Sequence, residues 1–438
     1  MSHANPQGQQ LEERERRSPT RSRISPFSRG IIALLFILGA INFADKAVLG
    51  LAAIPIIKEF HLSPALYGLL GGSFFWLFAL SSVVVTAWTD TAGTKRILAL
   101  LAATWSLAQF STSFVTSFFA LLLTRVLLGA GEGPSYGTSV TAASKWLPTD
   151  RYAFGIGMVT FGSSIGPAFF APLLTLLIVE IGWRAAFTFL GAIGVLWIVI
   201  WLLVARERPA EGSMPLRETQ VTHHETRWRE VLPIIFSRNI LLSILAAFCV
   251  YWQTALLLTW TPVYLVIVRH LTLTSPLYNV GVSFPWVLQG LALIAFAALA
   301  DRIFRRTGSL RCSYVLLAGT LLILGAVFIY SAVNISSALG AVSCFALAAT
   351  AGAAIPLLVA IILHVTPEEH RGFCQGAAVA ISTLPGFIAP FVTGLIIQAT
   401  GNQAVKGLYN AYLLAALVLL IGGMGLMVFA RPDEATLP

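Results

Sequence analysis

Charged residues are scarce in this chain: Asp, Glu, Lys and Arg make up 11% of its 438 residues, whereas hydrophobic residues make up 57%. Soluble domains typically carry about 25% charged residues. The chain therefore has too few charges to cover its apolar surface in water, which excludes a soluble globule and equally excludes a disordered chain. Cysteine is scarce as well. The four cysteines fall in or beside apolar segments without metal-ligand spacing, and we predict buried structural thiols: Cys249, Cys312, Cys344 and Cys374.

What the chain has instead is a series of apolar runs of the length that an α-helix needs to cross about 30 Å of hydrocarbon. A membrane β-barrel would show shorter segments that alternate between apolar and polar residues. The sequence therefore predicts an all-α polytopic membrane protein with about twelve transmembrane helices. The predicted runs are 31–56, 65–88, 97–115, 118–142, 154–178, 185–205, 238–268, 277–300, 311–331, 335–363, 373–398 and 407–430.

The basic residues sit in short loops between these runs, and such loops are usually cytoplasmic. If the N-terminus is cytoplasmic, the inside segments hold twenty-two of the 28 Lys and Arg residues. The outside loops then hold four, namely Lys58, Arg184, Arg269 and Lys406. We therefore predict a multi-pass protein of the plasma membrane, the inner membrane in bacteria, with both termini cytoplasmic. This distribution also argues that the net charge of +9 does not serve nucleic-acid binding.

The longest polar interruption divides the runs into two groups of six. The predicted organisation is a disordered cytoplasmic tail 1–29, an N-terminal six-helix bundle 30–205, a cytoplasmic linker 206–237, a C-terminal six-helix bundle 238–431 and a tail 432–438. The two groups resemble each other weakly, since runs five and eleven both contain Gly and Pro in mid-helix. Two matched six-helix halves are typical of carriers that bind their substrate near the membrane midplane, between the halves.

Several segments resemble a known family of such carriers. They are Asn42–Lys46 in run one, Thr124–Pro134 in run four, Gly182–Arg184 before run six and Leu258–Leu265 in run seven. Residues 31–430 resemble the major facilitator superfamily, and these segments resemble its anion:cation symporter branch. The resemblance implies that Arg125 in run four binds a substrate carboxylate while acidic neighbours carry protons.

Four charged residues lie within the apolar runs: Asp45, Lys46, Arg125 and Glu132. A charge at the bilayer centre costs about 2.5–3.5 kcal/mol on insertion scales, so such residues face a cavity or one another. A purely architectural ion pair between helices is the alternative. Arg125 and Glu132 are seven residues apart, which separates them by about 10 Å along one helix face, too far for an intimate ion pair. Because the four charges sum to zero, a bound anion leaves one excess negative charge unless a carboxylate takes up a proton. Proton and anion binding would then favour each other, as symport requires.

The predicted substrate-binding residues combine these cations with nearby aromatic and polar side chains: Arg125, Lys46, Trp76, Phe78, Tyr136, Gln253 and Thr383. The aromatic, Gln and Thr side chains could equally serve packing or helix–helix hydrogen bonds. Asp45 and Glu132 are the predicted proton-coupling residues. The family pattern implies a cytoplasmic gate at Asp90, Arg96, Asp301 and Arg302. We expect a monomer in the lipid bilayer that uses the proton gradient and has no catalytic residue, metal or cofactor.

The chain departs from the sugar-acid members of the family at its presumed cavity. Those members usually have Arg where Lys46 stands, Tyr where Phe43 and Phe78 stand, and an Asn near Thr383. Each change removes hydrogen-bonding capacity, and buried hydroxyls need partners. We therefore predict import of an aromatic or short-chain carboxylate rather than a sugar acid. The alternatives are a proton-driven exporter, since the glycines of run five partly resemble those of drug antiporters, and a non-transporting membrane sensor.

Overall fold

The computed structural model describes residues 24–147, 152–206, 228–367 and 370–434, and regular secondary structure in these ranges is entirely helical. The predicted tail up to residue 23, residues 207–227 of the predicted linker and residues 435–438 lie outside the described ranges. The α-helices are α1 Pro26–Leu51, α2 Ala53–Glu59, α3 Pro64–Ser73, α4 Phe75–Ala92, α5 Thr94–Thr112, α6 Phe118–Glu132, α7 Ser135–Trp146, α8 Tyr152–Glu180, α9 Trp183–Val204, α10 Trp228–Ile235, α11 Arg238–Thr259, α12 Thr261–Ile267, α13 Pro276–Thr307, α14 Leu316–Asn334, α15 Ala338–Ala349, α16 Ala354–Val365, α17 Arg371–Ser382, α18 Pro385–Ala399 and α19 Ala404–Phe429. A π-helical turn spans Arg311–Val315, and 3-10 turns span Thr350–Ala353 and Pro432–Glu434.

Ten stretches of the described residues are long and apolar enough to cross a membrane, and the predicted all-α polytopic fold is confirmed. The two predicted runs outside this set, the third and the fourth, are helical as well. The third run, α5, is less apolar than the others because it contains polar residues such as Gln109, near its C-terminal end. The fourth is divided into α6 and α7 at Gly133 and Pro134, so neither part alone reaches the length of a span.

Serine residues start several of the long runs in the same way. Ser63 accepts a hydrogen bond from the backbone N–H of Leu66, and Ser275 accepts one from that of Tyr278; each is followed by a proline. These caps satisfy N–H groups that have no partner within the helix, and proline fits the first helical turn. Ser117 and Ser337 cap the fourth and tenth runs with the same geometry. The caps therefore occupy equivalent positions in the two groups of six runs.

The start of α1 and the end of α19 lie at one end of the bundle, which we call the terminal face. Phe27 of α1 packs against Trp146, and its ring also lies 5.5 Å from the guanidinium of Arg206 after α9. In the second group the side chain of Asn239 accepts a hydrogen bond from the backbone N–H of Arg431. The opposite end, which we call the distal face, carries the turns with the serine caps at 63, 117, 275 and 337.

The two groups of runs contact each other closely near the distal face. A Cβ atom placed on Gly68 would lie 2.3 Å from the carbonyl oxygen of Pro390, and one on Gly50 would lie 1.9 Å from that of Leu258. No side chain fits between these backbones, which makes glycine necessary at both positions. The hydroxyl of Tyr67 donates a hydrogen bond of 3.0 Å to the carbonyl oxygen of Thr259 in the same region. The halves are therefore sealed together on the distal side.

The cysteines follow the prediction in part. Cys249 and Cys374 are buried and Cys344 is half-buried, but Cys312 is exposed. Cys312 lies in the π-helical turn at the terminal face, where run nine begins, rather than in the packed interior. The prediction that all four thiols are buried is therefore wrong for Cys312.

Candidate functional site

A buried ion pair joins the first run to the fourth. The ammonium of Lys46 lies 2.6 Å from Oε2 of Glu132, and both side chains are almost fully buried. Lys46 also donates to the side-chain oxygen of Asn42, one helical turn earlier. Asn42 in turn donates a 3.2 Å hydrogen bond to the hydroxyl of Ser135, which donates to the carbonyl oxygen of Glu132. This network spans the break between α6 and α7 and fixes Glu132 against α1.

Asp45 points away from Lys46, as expected for adjacent residues of one helix. Its Oδ1 accepts a 2.5 Å hydrogen bond from Nε2 of Gln109 on α5, and the side chain is completely buried. Oδ2 of Asp45 and Oε1 of Gln109 have no hydrogen-bond partner among the described residues. Two acceptor oxygens with no donor in a buried position are costly, and a proton on the carboxyl group would supply the missing donor.

Lys46 and Glu132 neutralise each other, whereas Arg125, like Asp45, forms no ion pair among the described residues. Arg125 is 2% exposed, and in the described part of the chain no carboxylate lies within ion-pair distance of its guanidinium. Nη1 donates a long 3.4 Å hydrogen bond to the carbonyl oxygen of Asp45, and Nε has no partner within the described ranges. The guanidinium carbon lies 5.6 Å from the ring centre of Phe74. A buried cation without an anion is unstable unless a ligand completes it.

Arg125 and Lys46 face a small cavity of about 20 Å³ at the boundary between the two groups of runs. The second group contributes mainly apolar or small residues to its wall: Ala255, Leu258, Thr259 and Gly386. A cavity of this size has room for about one water molecule. In this conformation the site is closed around the two cations rather than open to a larger ligand.

Phenylalanine rings surround the Lys46 ammonium on its remaining side. Nζ lies 4.6 Å from the ring centre of Phe43, 5.1 Å from that of Phe74 and 5.8 Å from that of Phe78. These distances are typical of cation–π contacts. They stabilise the charge without offering any hydrogen bond to a ligand.

A larger cleft of about 310 Å³ opens on the terminal side of this site. It brings together three of the predicted residues, Trp76, Phe78 and Thr383, from the second and eleventh runs. The same two runs touch at Gly68 and Pro390 nearer the distal face, so they diverge towards the terminal face. Phe75 lines both the cleft and the small cavity.

The structure does not bring the other predicted binding residues to Arg125. Gln253 lines a separate cavity of about 10 Å³ inside the second group of runs, beside Tyr412. Tyr136 is half exposed, and its hydroxyl lies 3.1 Å from that of Thr160 on α8.

The predicted gate residues lie at the terminal face. Asp301 accepts a 3.1 Å hydrogen bond from the hydroxyl of Tyr314, and Arg96 and Arg302 are exposed. Among the described side chains, these three form no ion pair with one another. The side chain of Asp90 lies outside the described set. The gate stays a prediction.

Sequence reasoning missed Gln109, the hydrogen-bonding role of Asn42, and Phe74 and Phe75. A signal for Gln109 existed, because it stands with Ser106 and Thr112 at helical spacing in an apolar run. The two phenylalanines carry no such signal, since a phenylalanine in an apolar run is ordinary.

Comparisons with known proteins place the chain among membrane transporters. The sequence profile of the Major Facilitator Superfamily matches residues 35–303 and 270–438. The hexuronate transporter of Bacillus subtilis is 29% identical, over 92% of this chain and 94% of its own length. The probable sulfoacetate transporter SauU of Cupriavidus necator is 26% identical, over 92% of this chain and 95% of its own. Both relatives are named as transporters, the second as a probable one, in line with the prediction that the chain is not an enzyme.

The fold has a close match among solved structures. A bacterial homolog of the human lysosomal transporter Spinster, in an inward-facing and unoccupied conformation, superposes with a TM-score of 0.79. It is 20% identical, and the match covers 93% of this chain and 98% of that one. At this identity the match establishes the shared fold alone.

Proposed function

We propose that this chain, which belongs to the Major Facilitator Superfamily, imports an organic carboxylate by proton-coupled symport with alternating access. Relatives named for hexuronate and sulfoacetate support an organic anion as the substrate class. In this proposal the protein sits as a monomer in the plasma membrane, the bacterial inner membrane, with both termini cytoplasmic. The terminal face is then the cytoplasmic one, and the proton gradient supplies the driving force.

The observation that carries the proposal is the unneutralised guanidinium of Arg125 at the boundary between the halves. Its planar set of donors suits the two oxygens of a carboxylate, and charge-assisted bonds of this kind are strong. Nε without a partner leaves a donor available, and the other walls of the cavity supply no competing anion. A carboxylate is therefore the group that best completes this site.

The Lys46–Glu132 pair suggests how the anion and the proton are linked. Lys46 lines the cavity, so an incoming anion competes with Glu132 for the same ammonium. Once Lys46 turns to the anion, Glu132 is left buried beside no cation of its own, and a proton restores neutrality. Asp45, which has one oxygen without a partner, is the second position at which a proton can reside.

The apolar walls favour an aromatic or short-chain acid over a sugar acid. Phe43, Phe74 and Phe78 surround Lys46, and Leu258 and Ala255 approach from the other half. Hydroxyl groups of a sugar acid would find few partners here, and each unpaired buried polar group costs about 1–3 kcal/mol.

A two-stage experiment tests the function. Purified protein is first screened for thermal stabilisation by organic acids, because a ligand of the folded state raises apparent stability. The best acid is then labelled and offered to proteoliposomes with and without an inward proton gradient. We expect accumulation above the external concentration when the gradient is present. Drug tolerance in cells without uptake of any acid would instead indicate an exporter.

A further inference from the structure

A second basic cavity lies far from the first, at the distal face of the C-terminal half. Its volume is about 470 Å³, and it is formed where α12, α14 and α19 meet. Two of the four basic residues of the distal loops, Arg269 and Lys406, line it together with Gln403, Tyr264 and Tyr409. No acidic residue is among the described residues of its wall. The positive charge of this cavity is therefore not compensated locally.

Arg269 is held in place by the backbone rather than by an anion. Nη2 donates a 2.6 Å hydrogen bond to the carbonyl oxygen of Ala332, and Nη1 donates a weaker one of 3.4 Å to that of Ser336. The guanidinium carbon lies 5.5 Å from the ring centre of Tyr264. Nε of Arg269 is buried and has no hydrogen-bond partner in the described structure. The side chain is thus fixed in position with a donor to spare.

Tyr264, which contacts Arg269, provides a second sign of a missing ligand. It is 1% exposed, and its ring packs against Phe345 and Tyr412 at 5.2 Å from each ring centre. Its hydroxyl is buried next to the side chain of Arg269 and forms no well-aligned hydrogen bond among the described residues, although the ring lines the cavity. Buried hydroxyl groups nearly always have a partner. An oxyanion in the cavity would accept from Tyr264 and Arg269 together.

The ion pair on the other half of the distal face shows the contrast. There the guanidinium of Arg184 donates two hydrogen bonds, of 2.8 and 2.7 Å, to the carboxylate of Glu59. Arg184 is therefore satisfied by an acid of the chain itself. Arg269 and Lys406 stand at a cavity with no such acid.

We propose that this cavity is a second anion site, which binds a phosphate, sulfonate or carboxylate group through Arg269, Lys406 and the hydroxyl of Tyr264. Three valines also line the cavity, so the group can belong to a free anion or to the head of an anionic phospholipid. Either source meets the same chemistry. The site is independent of Arg125, because the residues of the two cavities do not overlap.

The test uses the full chain and measures the unfolding temperature during two titrations. One titrates inorganic phosphate into protein in neutral detergent; the other compares nanodiscs of phosphatidylcholine with and without phosphatidylglycerol. The informative variants are Lys406→Gln, which removes an exposed charge, and Tyr264→Phe, which removes one hydroxyl. Lys58→Gln removes a basic residue of the same face outside the cavity and is the matched control. Arg125→Gln removes the first site.

We expect at least one of the two anions to raise the unfolding temperature of the wild-type protein and of Arg125→Gln alike. Lys406→Gln and Tyr264→Phe should each weaken that binding about tenfold, as for loss of a charge-assisted hydrogen bond, whereas Lys58→Gln should not. A response to phosphate identifies a free anion as the ligand, and a response to phosphatidylglycerol alone identifies a lipid. The proposal would be overturned if neither phosphate nor phosphatidylglycerol stabilises the protein. It would also be overturned if the stabilisation is unchanged in both Lys406→Gln and Tyr264→Phe, or if it is lost in Arg125→Gln.

Discussion

The ammonium of Lys46 lies 2.6 Å from Oε2 of Glu132, while the guanidinium of Arg125 has no carboxylate within ion-pair distance in the described residues. The two cations at this cavity therefore differ in whether they are already paired with a carboxylate. Lys46 already serves a carboxylate of the chain, and Arg125 is available to one from outside. On the basis of this asymmetry we propose that Arg125 binds the anion and that Glu132 carries the proton.

Glu132→Gln should separate transport from its driving force. The glutamine can still accept a hydrogen bond from Lys46, but it cannot exchange a proton. We expect exchange of labelled for unlabelled acid to persist in proteoliposomes, whereas accumulation driven by a proton gradient falls at least about tenfold. Asp45→Asn is the companion variant that tests the other buried carboxylate. Undiminished driven accumulation in Glu132→Gln would remove Glu132 as the proton carrier.

Gly68→Ala should prevent the distal side from closing. Its Cβ would lie 2.3 Å from the carbonyl oxygen of Pro390. The clash is with the backbone, which cannot move aside as a flexible side chain could. We expect a larger separation between spin labels at Lys58→Cys and Asn402→Cys on the two halves, together with loss of most uptake. Gly157→Ala is the matched control, because nothing lies within 4 Å of its Cβ position. Equal label distances in both variants would show that this contact does not govern closure.

Glu59 should give the distal face a measurable pH dependence. Hydrogen bonds from Arg184, and after them one from Trp183, hold the pKa of Glu59 below its usual range. A lowered pKa contributes stability above the ordinary glutamate value of about 4.3, and this contribution is lost as the pH falls through the lower folded-state value. The difference in unfolding temperature between wild type and Glu59→Gln should therefore be constant near pH 6 and shrink below about pH 4. The effect is small, since both side chains are more than a third exposed. A difference that grows on acidification would refute this role.

Phe43→Tyr should widen the range of acids that the site accepts. The ring of Phe43 lies 4.6 Å from Nζ of Lys46, so a hydroxyl there would offer a hydrogen bond close to the bound anion. One such bond is worth about 0.5–1.5 kcal/mol, and we expect a hexuronate to compete for uptake of the preferred acid about two- to tenfold better. Phe114→Tyr, on an exposed ring at the distal face, is the control. If competition does not change, Phe43 does not determine the substrate class.

The sequence predicted the site best where a residue is energetically unfavourable in an apolar run. Asp45, Lys46, Arg125 and Glu132 stand out because charges in apolar runs are expensive, and the structure brings all four to neighbouring helices. Their partners could not be predicted, because the contacts of Lys46 with Glu132 and of Asp45 with Gln109 depend on how α1, α5 and α6 pack.

The positions of uncharged residues in the apolar runs were harder to predict from the sequence. Gln253 lies in a largely apolar run, so the sequence does not determine which face of the helix points to the substrate cavity. In the structure its side chain points into the interior of the C-terminal half. Phe75 lines both the small cavity and the cleft, yet nothing in the sequence distinguishes it from its aromatic neighbours.

Binding and uptake by Arg125 variants test the central claim most directly. The acid found by thermal screening is labelled, and its affinity and gradient-driven uptake are measured for wild type, Arg125→Gln and Arg125→Lys, each checked for folding by its unfolding temperature. Loss of one partner of a buried charge pair costs about 2–5 kcal/mol. We therefore predict that Arg125→Gln abolishes uptake and that Arg125→Lys, which keeps the charge but loses the planar donor set, retains part of the binding. Normal affinity and normal uptake in folded Arg125→Gln would contradict the account.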